Sequence, residues 1–204
     1  MSDVARSAAH EALVVVDVQR DFCPGGALPA PGCTRILPAL NRALATADAR
    51  GMPIYATRDW HPAETSHFAA YGGEWPPHCV QDTDGAAFHP DLRLPPDTIV
   101  ISKGDDPDRP GYSAFDGHAP GGASFLADLR ARGIESLYVG GLATDYCVKA
   151  TVLDARRAGL HVVVLPEAIA AIDAHAGDGE RAMAEMKAAG AAFAHEVAPP
   201  ADAG

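Results

Sequence analysis

Long apolar runs and cysteines are both scarce in this sequence. No run approaches the roughly 20 apolar residues that a helix needs to span a bilayer, and residues 1–11 contain no apolar signal core. A cytoplasmic location without a membrane partner is therefore expected. Only four cysteines occur in 204 residues, Cys23, Cys33, Cys79 and Cys147. In a reducing compartment this favours free thiols, catalytic groups or metal ligands over a disulfide framework.

Basic residues are also few. The chain has 16 Lys and Arg against 27 Asp and Glu, which gives a formal net charge of −11. Because nucleic-acid binding depends on clustered Lys and Arg, a nucleic-acid partner is not expected, and small neutral or cationic ligands fit better. The apolar fraction of 48% is too high for a disordered chain. We expect one domain, with a core from about residue 12 to residue 197 and short frayed ends.

Strand-like runs and helical patterns alternate along the chain. The clearest strand is the β-branched run at residues 12–18, which is typical of a strand buried on both faces. This alternation predicts an α/β fold, a three-layer α/β/α sandwich with a mainly parallel sheet of about six strands. The further strands are expected at residues 53–57, 98–102, 136–139, 161–165 and 192–197.

Four helices are expected between these strands. The first places Ile36, Leu37, Leu40 and Leu44 on one side and ends near Gly51, with Pro38 tolerable only close to its first turn. The third is expected to begin at a cap formed by Thr144 or Asp145 and to run to residue 159. The second and fourth are expected at residues 121–132 and near residues 179–189.

Four chemically capable side chains occur where strands of the predicted sheet end. Asp17 ends the first strand, Asp59 follows the second, Lys103 ends the third, and Cys147 begins the helix after the fourth. Ligands of open parallel sheets bind at this edge. Taken singly, each residue has an ordinary structural role as a core thiol, a turn cap or a solvated lysine. Their shared edge favours a catalytic site.

Cys147 is the nucleophile candidate of this group. A helix N-terminus and an adjacent ammonium such as Lys103 are expected to stabilise its thiolate. Asp17 is then the candidate base, which takes the thiol proton and later gives a proton to the leaving group.

A second cluster of candidate ligands lies in the long segment 58–96, which is rich in imidazole and aromatic side chains. Asp59 and His61 can point to one face, and His67 and His78 can complete a mixed nitrogen and oxygen site. One carboxylate with several imidazoles suits a transition metal (Zn, Fe or Mn) better than Ca or Mg. The alternative is that these imidazoles only form hydrogen bonds within an ordered loop.

Five motifs give the chain a family resemblance. Together, and in this order, they resemble the nicotinamidases and pyrazinamidases of the isochorismatase-like cysteine hydrolase superfamily, over about residues 13–197. The motifs are VVDVQRDFC at residues 15–23, RDWHP at 58–62, WPPHC at 75–79, SKG at 102–104 and GGLATDYCV at 140–148.

The resemblance implies roles for particular residues. It implies a catalytic triad, a bound divalent transition metal, and an oxyanion hole formed by the N–H groups of Ala143 and Cys147 next to a cis peptide bond between Leu142 and Ala143. Phe22 and Trp75 match residues that line the ring pocket in the family, and Tyr112 is a looser match. Leu142 is expected beside them in the substrate site. Tyr146 stands where some members have His. The implied triad is Asp17, Lys103 and Cys147, and the implied metal ligands are Asp59, His61, His67 and His78.

The resemblance also implies an activity. Members hydrolyse nicotinamide to nicotinate and ammonia, accept pyrazinamide, take part in NAD salvage and form homo-oligomers. Three other functions are weighed against this one: a metallohydrolase in which a metal-activated water attacks, another superfamily hydrolase acting on a vinyl ether or a non-aromatic amide, and a non-enzymatic binding module. Isochorismatases generally lack the nucleophilic cysteine, so Cys147 argues against the vinyl-ether reaction, and the imidazole cluster argues against both superfamily alternatives.

Overall fold

The sheet has six strands, and all of them are parallel. The computed structural model describes residues 10–198, so the expected fraying of residues 199–204 lies outside the described residues. The strands are β1 (Glu11–Val16), β2 (Ile54–Asp59), β3 (Ile99–Lys103), β4 (Ser136–Leu142), β5 (His161–Ala170) and β6 (Ala192–Phe193). Their order in the sheet is β3-β2-β1-β4-β5-β6, which confirms the predicted parallel sheet. Within residues 10–198, no helix combines the length and the apolar character needed to cross a membrane.

Helices cover both faces of this sheet. The four α-helices among the described residues are α1 (Cys33–Ala49), α2 (Phe125–Ala131), α3 (Lys149–Arg157) and α4 (Asp178–Ala188). Alternate residues of β1 point to opposite faces, and Leu13 and Val15 pack in one apolar cluster with α1. Val14 belongs to the cluster on the other face, with side chains of α2, α3 and α4. The layers are therefore helix, sheet and helix.

Several element boundaries differ from the expected ones. β2 extends to Asp59 because that residue still pairs with Lys103 of β3. β5 continues to Ala170 because the ladder with β4 resumes after an irregularity between Val139 and Gly141. Helix α2 and strand β6 are shorter than expected. Pro38 is the sixth residue of α1, so its expected place near the first turn is wrong.

The expected cap of the third helix is also wrong. The chain enters α3 through a π-helical turn, Thr144–Val148, which has no side-chain cap. The carboxylate of Asp145 instead accepts hydrogen bonds from the backbone N–H groups of Ile172 (3.0 Å) and Asp173 (2.8 Å). Asp145 therefore connects the start of this helix to the chain that leaves β5.

Two of the four cysteines form a disulfide, which corrects the expectation of free thiols. Cys23 and Cys33 are bonded, with their Cα atoms 5.2 Å apart, a separation typical of disulfides. The sequence spacing of ten residues did not reveal this pair, because the loop between them turns back on itself before α1. Cys79 and Cys147 are free and buried.

Candidate active site

Lys103 lies at the centre of a buried group of charges at the carboxyl edge of the sheet. It is the last residue of β3 and is fully buried. Its Nζ lies 2.8 Å from Oδ2 of Asp17 and 3.4 Å from Sγ of Cys147, and it donates a hydrogen bond to Oδ1 of Asp59. The four residues expected at one edge are thus in contact through a single ammonium group.

Local backbone geometry positions Asp17 in this group. The residue follows β1 with a positive φ of 49°, which turns the chain out of the strand. The hydroxyl of Thr57 donates to Oδ1 of Asp17 at 2.5 Å, while Oδ2 faces Lys103. The neighbouring strand approaches closely, since a Cβ on Gly141 would lie 2.1 Å from the carbonyl oxygen of Val16. Glycine is therefore required at that position.

The charges in this group shift one another's proton affinities. Burial alone would lower the pKa of Lys103, but the carboxylates of Asp17 and Asp59 outweigh burial and raise it well above its usual value. Burial raises the pKa of Asp17, and Lys103 opposes this only in part. The lysine is therefore a permanent cation, and Asp17 is a stronger base than an exposed carboxylate.

Cys147 departs from the expected thiolate. Burial raises the pKa of its thiol well above the usual range, and the opposing effect of Lys103 is smaller. The thiol is therefore protonated at neutral pH and has to lose its proton when it attacks. Its sulfur and oxygens of Asp17 and Asp59 lie within 4.8 Å of one another, so Asp17 is a proton acceptor close at hand.

Three imidazoles converge beside this group. Ring nitrogens of His61, His67 and His78 lie within 4.8 Å of one another, and all three residues are buried. The Nδ1 atoms of His61 and His78 are each 2.8 Å from a backbone carbonyl, those of Gly104 and Pro76. Such contacts hold each ring so that Nε2 carries the free lone pair.

The imidazole cluster has the chemistry of a metal site. Nε2 of His61 is buried and has no hydrogen-bond partner among the described residues. Oδ2 of Asp59 lies 3.6 Å from that atom and 4.0 Å from Nε2 of His78. A buried lone pair without a partner is costly unless it binds something, so the residues fit a metal ion.

The proton affinities of the cluster favour ligation as well. Burial, together with His61 and His78, lowers the pKa of His67 to about 4. Burial also lowers the pKa of His78. Burial would raise the pKa of Asp59, but Lys103 and His61 outweigh it and lower it. At neutral pH His67 and His78 are therefore neutral and Asp59 is a carboxylate, donors that suit transition metals.

A small cavity opens directly onto both groups. Its walls lie close together, and the free space between them is about 20 Å³, room for one water molecule. All four residues expected to line the ring pocket, Phe22, Trp75, Tyr112 and Leu142, are in its wall, together with Ala143 and Cys147. The expected cis peptide bond between Leu142 and Ala143 is present, so that prediction is confirmed. The catalytic, oxyanion and ligand roles of these residues stay predictions.

Three wall residues were not expected from the sequence: Leu28, Tyr146 and Ile172. The ring of Tyr146 packs edge-on against Trp75 at 5.0 Å, and Trp75 donates through Nε1 to the Tyr112 hydroxyl at 2.9 Å. Tyr146 directly precedes Cys147, so its place in the chain was a usable signal. Ile172 follows the extended β5, and the underestimated length of that strand concealed it.

Comparisons with known proteins show the family of the chain. The family model described as the isochorismatase domain matches residues 11–196. The nicotinamidase of Escherichia coli K12 is 39% identical over 196 residues, which cover 88% of this chain and 92% of that protein. The nicotinamidase/pyrazinamidase of Mycobacterium tuberculosis H37Rv is 41% identical over 166 residues, which cover 80% of this chain and 88% of that protein.

Solved structures are similar over nearly the whole chain. The pyrazinamidase of Pyrococcus horikoshii in complex with zinc superimposes with a TM-score of 0.83 at 45% identity, and covers 91% of this chain and 98% of that one. PnC1 of L. infantum in complex with nicotinate gives a TM-score of 0.81 at 34% identity, and covers 95% of this chain and 98% of that one. The fold therefore has close counterparts among solved structures.

Proposed function

The chain belongs to the isochorismatase family, and from that premise we propose that it is a nicotinamidase, which hydrolyses nicotinamide to nicotinate and ammonia and also accepts pyrazinamide. One observation carries the proposal. The sulfur of Cys147, 3.4 Å from Nζ of Lys103, is in the wall of a small aromatic cavity that also contains buried imidazoles. Curated relatives named nicotinamidase support the substrate.

Attack begins with a proton transfer inside the buried group. Asp17 takes the thiol proton as Cys147 adds to the carboxamide carbon, and the N–H groups of Ala143 and Cys147 stabilise the oxyanion. Asp17 then gives that proton to the leaving nitrogen, and ammonia departs from a thioester. Water, deprotonated by Asp17, hydrolyses the thioester, which returns the thiol and releases nicotinate. Lys103 keeps the carboxylate oriented and balances the negative charge throughout.

The ring is oriented by the remainder of the cavity. Phe22, Trp75 and Tyr112 supply flat apolar surface. A divalent transition metal (Zn, Fe or Mn) would be held by Asp59, His61, His67 and His78, and when bound it would supply a Lewis-acid contact for the ring nitrogen of the substrate. The unpartnered Nε2 of His61 supports that ligand set, and the zinc complex of a similar pyrazinamidase supports zinc.

Ammonia release tests the activity. Protein loaded with zinc and given nicotinamide is expected to release one ammonia per nicotinate formed, and chelation is expected to remove the activity. Cys147→Ala is expected to abolish turnover but still bind zinc, whereas Cys79→Ala, at the other free buried thiol, is expected to retain turnover. No ammonia from metal-replete protein, or turnover that survives in Cys147→Ala, would make the proposal wrong.

We also propose the coarser properties expected from the sequence. A single family match over residues 11–196 and one continuous sheet support a single domain. The acidic balance supports a small-molecule substrate without a nucleic-acid partner. A cytoplasmic location and a homo-oligomeric state stay predictions.

A further inference from the structure

We propose that Gln19 is a positioning residue for the metal site, because its side chain fixes the backbone of Asp59 and thereby the carboxylate that faces both Lys103 and the histidines. The proposal rests on the assignment of Asp59 as a metal ligand made above. Gln19 is fully buried and lies two residues after Asp17, and nothing in the mechanism uses it.

The amide of Gln19 has hydrogen bonds on both sides. Oε1 accepts from the backbone N–H of Asp59 at 2.8 Å, and Nε2 donates to the backbone carbonyl of Asp59 at 2.8 Å. Nε2 also donates to the carbonyl of Ala86 at 2.9 Å. These partners identify the oxygen and the nitrogen of the side-chain amide, because the N–H of Asp59 needs an acceptor and the carbonyls of Asp59 and Ala86 need donors.

Gln19 takes the place of a strand that has ended. In a parallel sheet the backbone N–H and C=O of one residue both face the same neighbouring strand. The following residue faces the strand on the other side, so residues two positions apart face the same strand. The carbonyl of Thr57 accepts a hydrogen bond from the backbone N–H of Asp17, so Thr57 faces β1. Asp59 lies two residues further along β2, and its backbone groups therefore face the path that β1 would take if it continued. However, β1 ends at Val16 and the chain turns away at Asp17. The amide closes the gap that this turn leaves.

The position of Asp59 matters because its two carboxylate oxygens face different groups. Oδ1 accepts a hydrogen bond from Lys103, and Oδ2 lies 3.6 Å from Nε2 of His61. A backbone shift at Asp59 would therefore weaken the lysine contact or the approach to the metal. Hydrogen-bond partners outside the ligand set commonly change metal affinity by about 10–100-fold when they are removed.

Zinc affinity measures this directly. In Gln19→Glu the side chain keeps its length, but a carboxylate oxygen replaces Nε2 and faces the carbonyls of Asp59 and Ala86 without a proton to donate. We expect zinc to bind at least about tenfold more weakly than to the unaltered protein, as measured by competition with a chromophoric chelator. Gln19→Met removes the same hydrogen bonds without adding a charge and is also expected to weaken zinc binding. It serves as the test variant if Gln19→Glu does not fold.

Asn41→Asp is the matched control. The amide of Asn41 makes the same pair of bonds to another loop, donating to the carbonyl of Asp91 and accepting from the N–H of Arg93, both at 2.9 Å. This variant is expected to bind zinc within about twofold of the unaltered protein. The melting temperature of each metal-free variant is measured alongside, because a role limited to stability would lower that temperature and leave zinc affinity unchanged.

The outcomes separate this proposal from the proposed function. If the unaltered protein binds zinc and both Gln19 variants bind it equally well, the metal site stands and only the role of Gln19 is wrong. If the unaltered protein binds no zinc, the ligand assignment is wrong, and the role of Gln19 is wrong with it. Weaker binding in both Gln19 variants but not in Asn41→Asp supports the proposal.

Discussion

Lys103 shows how much of this site depends on one residue. A buried ammonium is costly unless carboxylates and hydrogen bonds compensate for lost water. Here Asp17, Asp59 and the carbonyl of Gly111, at 3.2 Å, surround Nζ. The lysine in turn permits two carboxylates to stay charged within 4.8 Å of each other. Both the base and the ligand of the proposed mechanism therefore require this cation.

Replacing the lysine tests that dependence. Lys103→Met keeps a chain of similar length but leaves two buried carboxylates without their cation, so we expect a loss of about 3–5 kcal/mol in the free energy of unfolding at neutral pH, together with loss of turnover. Urea unfolding of the metal-free protein measures the first effect. Lys149→Met, which removes a partly exposed lysine 3.3 Å from Glu185, is expected to cost less than about 1 kcal/mol. Equal costs in the two variants would contradict the argument.

Burial has the largest effect on the pKa of Asp17, and the Thr57 hydroxyl has a smaller one in the opposite direction. Its hydrogen bond to Asp17 favours the charged carboxylate and so lowers the pKa of Asp17, against the larger upward effect of burial. In the proposed mechanism Asp17 has to be deprotonated to accept the thiol proton, so activity is expected to be lost as the pH falls through that pKa. Thr57→Val removes the bond, and we expect the acid limb of kcat/KM to move up by about one pH unit.

The pH profile of kcat/KM measures that shift, because it reports groups of the free enzyme. Thr151→Val is the control, since Thr151 is equally buried and its hydroxyl accepts from the N–H of Ala114 at 2.9 Å. An acid limb that stays in place in Thr57→Val, or that moves equally in both variants, would show that the hydroxyl does not tune Asp17.

At the scale of elements, the strands were the most predictable part. The buried β-branched run at residues 12–18 located β1, and the rule that parallel strands end at one edge predicted that Asp17, Lys103 and Cys147 lie together. The ends of β2 and β5 were misplaced because strand pairing continued beyond the apolar runs. Pairing with a neighbouring strand determines where these strands end, and the local sequence pattern contains no signal for that pairing.

The entry into α3 was less predictable for a related reason. Thr144 and Asp145 have the side chains of helix caps, but Asp145 binds the N–H groups that follow β5, 27 and 28 residues along the chain. The raised pKa of the Cys147 thiol likewise comes from burial, which a helix-dipole argument on sequence alone omits. The motifs nevertheless identified the family, and the family match confirms it.

The disulfide closes a loop that contributes to the pocket. Cys23 follows Phe22, Cys33 begins α1, and the loop between them contains Leu28, another wall residue. Closing a loop of ten residues is expected to stabilise the protein by about 2–3 kcal/mol through the entropy of the unfolded chain. Cys33→Ser is therefore expected to lower the free energy of unfolding by that amount.

Chemical unfolding with and without reductant checks the disulfide. Reductant is expected to destabilise the unaltered protein and to leave Cys33→Ser unchanged, because the variant has no bond to lose. Cys79→Ser serves as the control, since Cys79 is buried but unpaired, and its response to reductant is expected to match that of the unaltered protein. If reductant has no effect on the unaltered protein, the two thiols are not bonded in solution.

For the whole molecule, the order of the strands explains why the site lies where it does. The chain builds β1, β2 and β3 outward in one direction and then returns to place β4 on the other side of β1. Loops diverge at such a switch point and leave a crevice between them. Asp17 leaves β1 on one side of this crevice, and Cys147 follows β4 on the other. The proposed base and nucleophile are therefore neighbours although 130 residues separate them in the chain.

The metal site is expected to contribute to the stability of the whole fold. A ligand present at 100 times its dissociation constant adds about 2.7 kcal/mol to the free energy of unfolding. For a chain of this length that corresponds to a rise of roughly 5–11 °C in melting temperature. Calorimetry of the metal-free and zinc-loaded protein at pH 7 measures the rise, and a zinc-loaded protein that melts with the metal-free one would contradict it.

Acid is expected to lower the stability of the metal-free protein through the buried histidine His67. The pKa of His67 is about 4 in the folded protein, below its ordinary value of 6.5, so between these pH values the unfolded chain binds more protons. Stability therefore falls as the pH drops from about 6.5 towards 4. In His67→Gln the decrease in melting temperature between pH 7 and pH 5 is expected to be smaller, because this proton-binding group is gone. His175→Gln, which replaces an exposed imidazole, is expected to keep the full decrease. A decrease as large in His67→Gln as in His175→Gln would show that burial of His67 is not what makes the metal-free fold sensitive to acid.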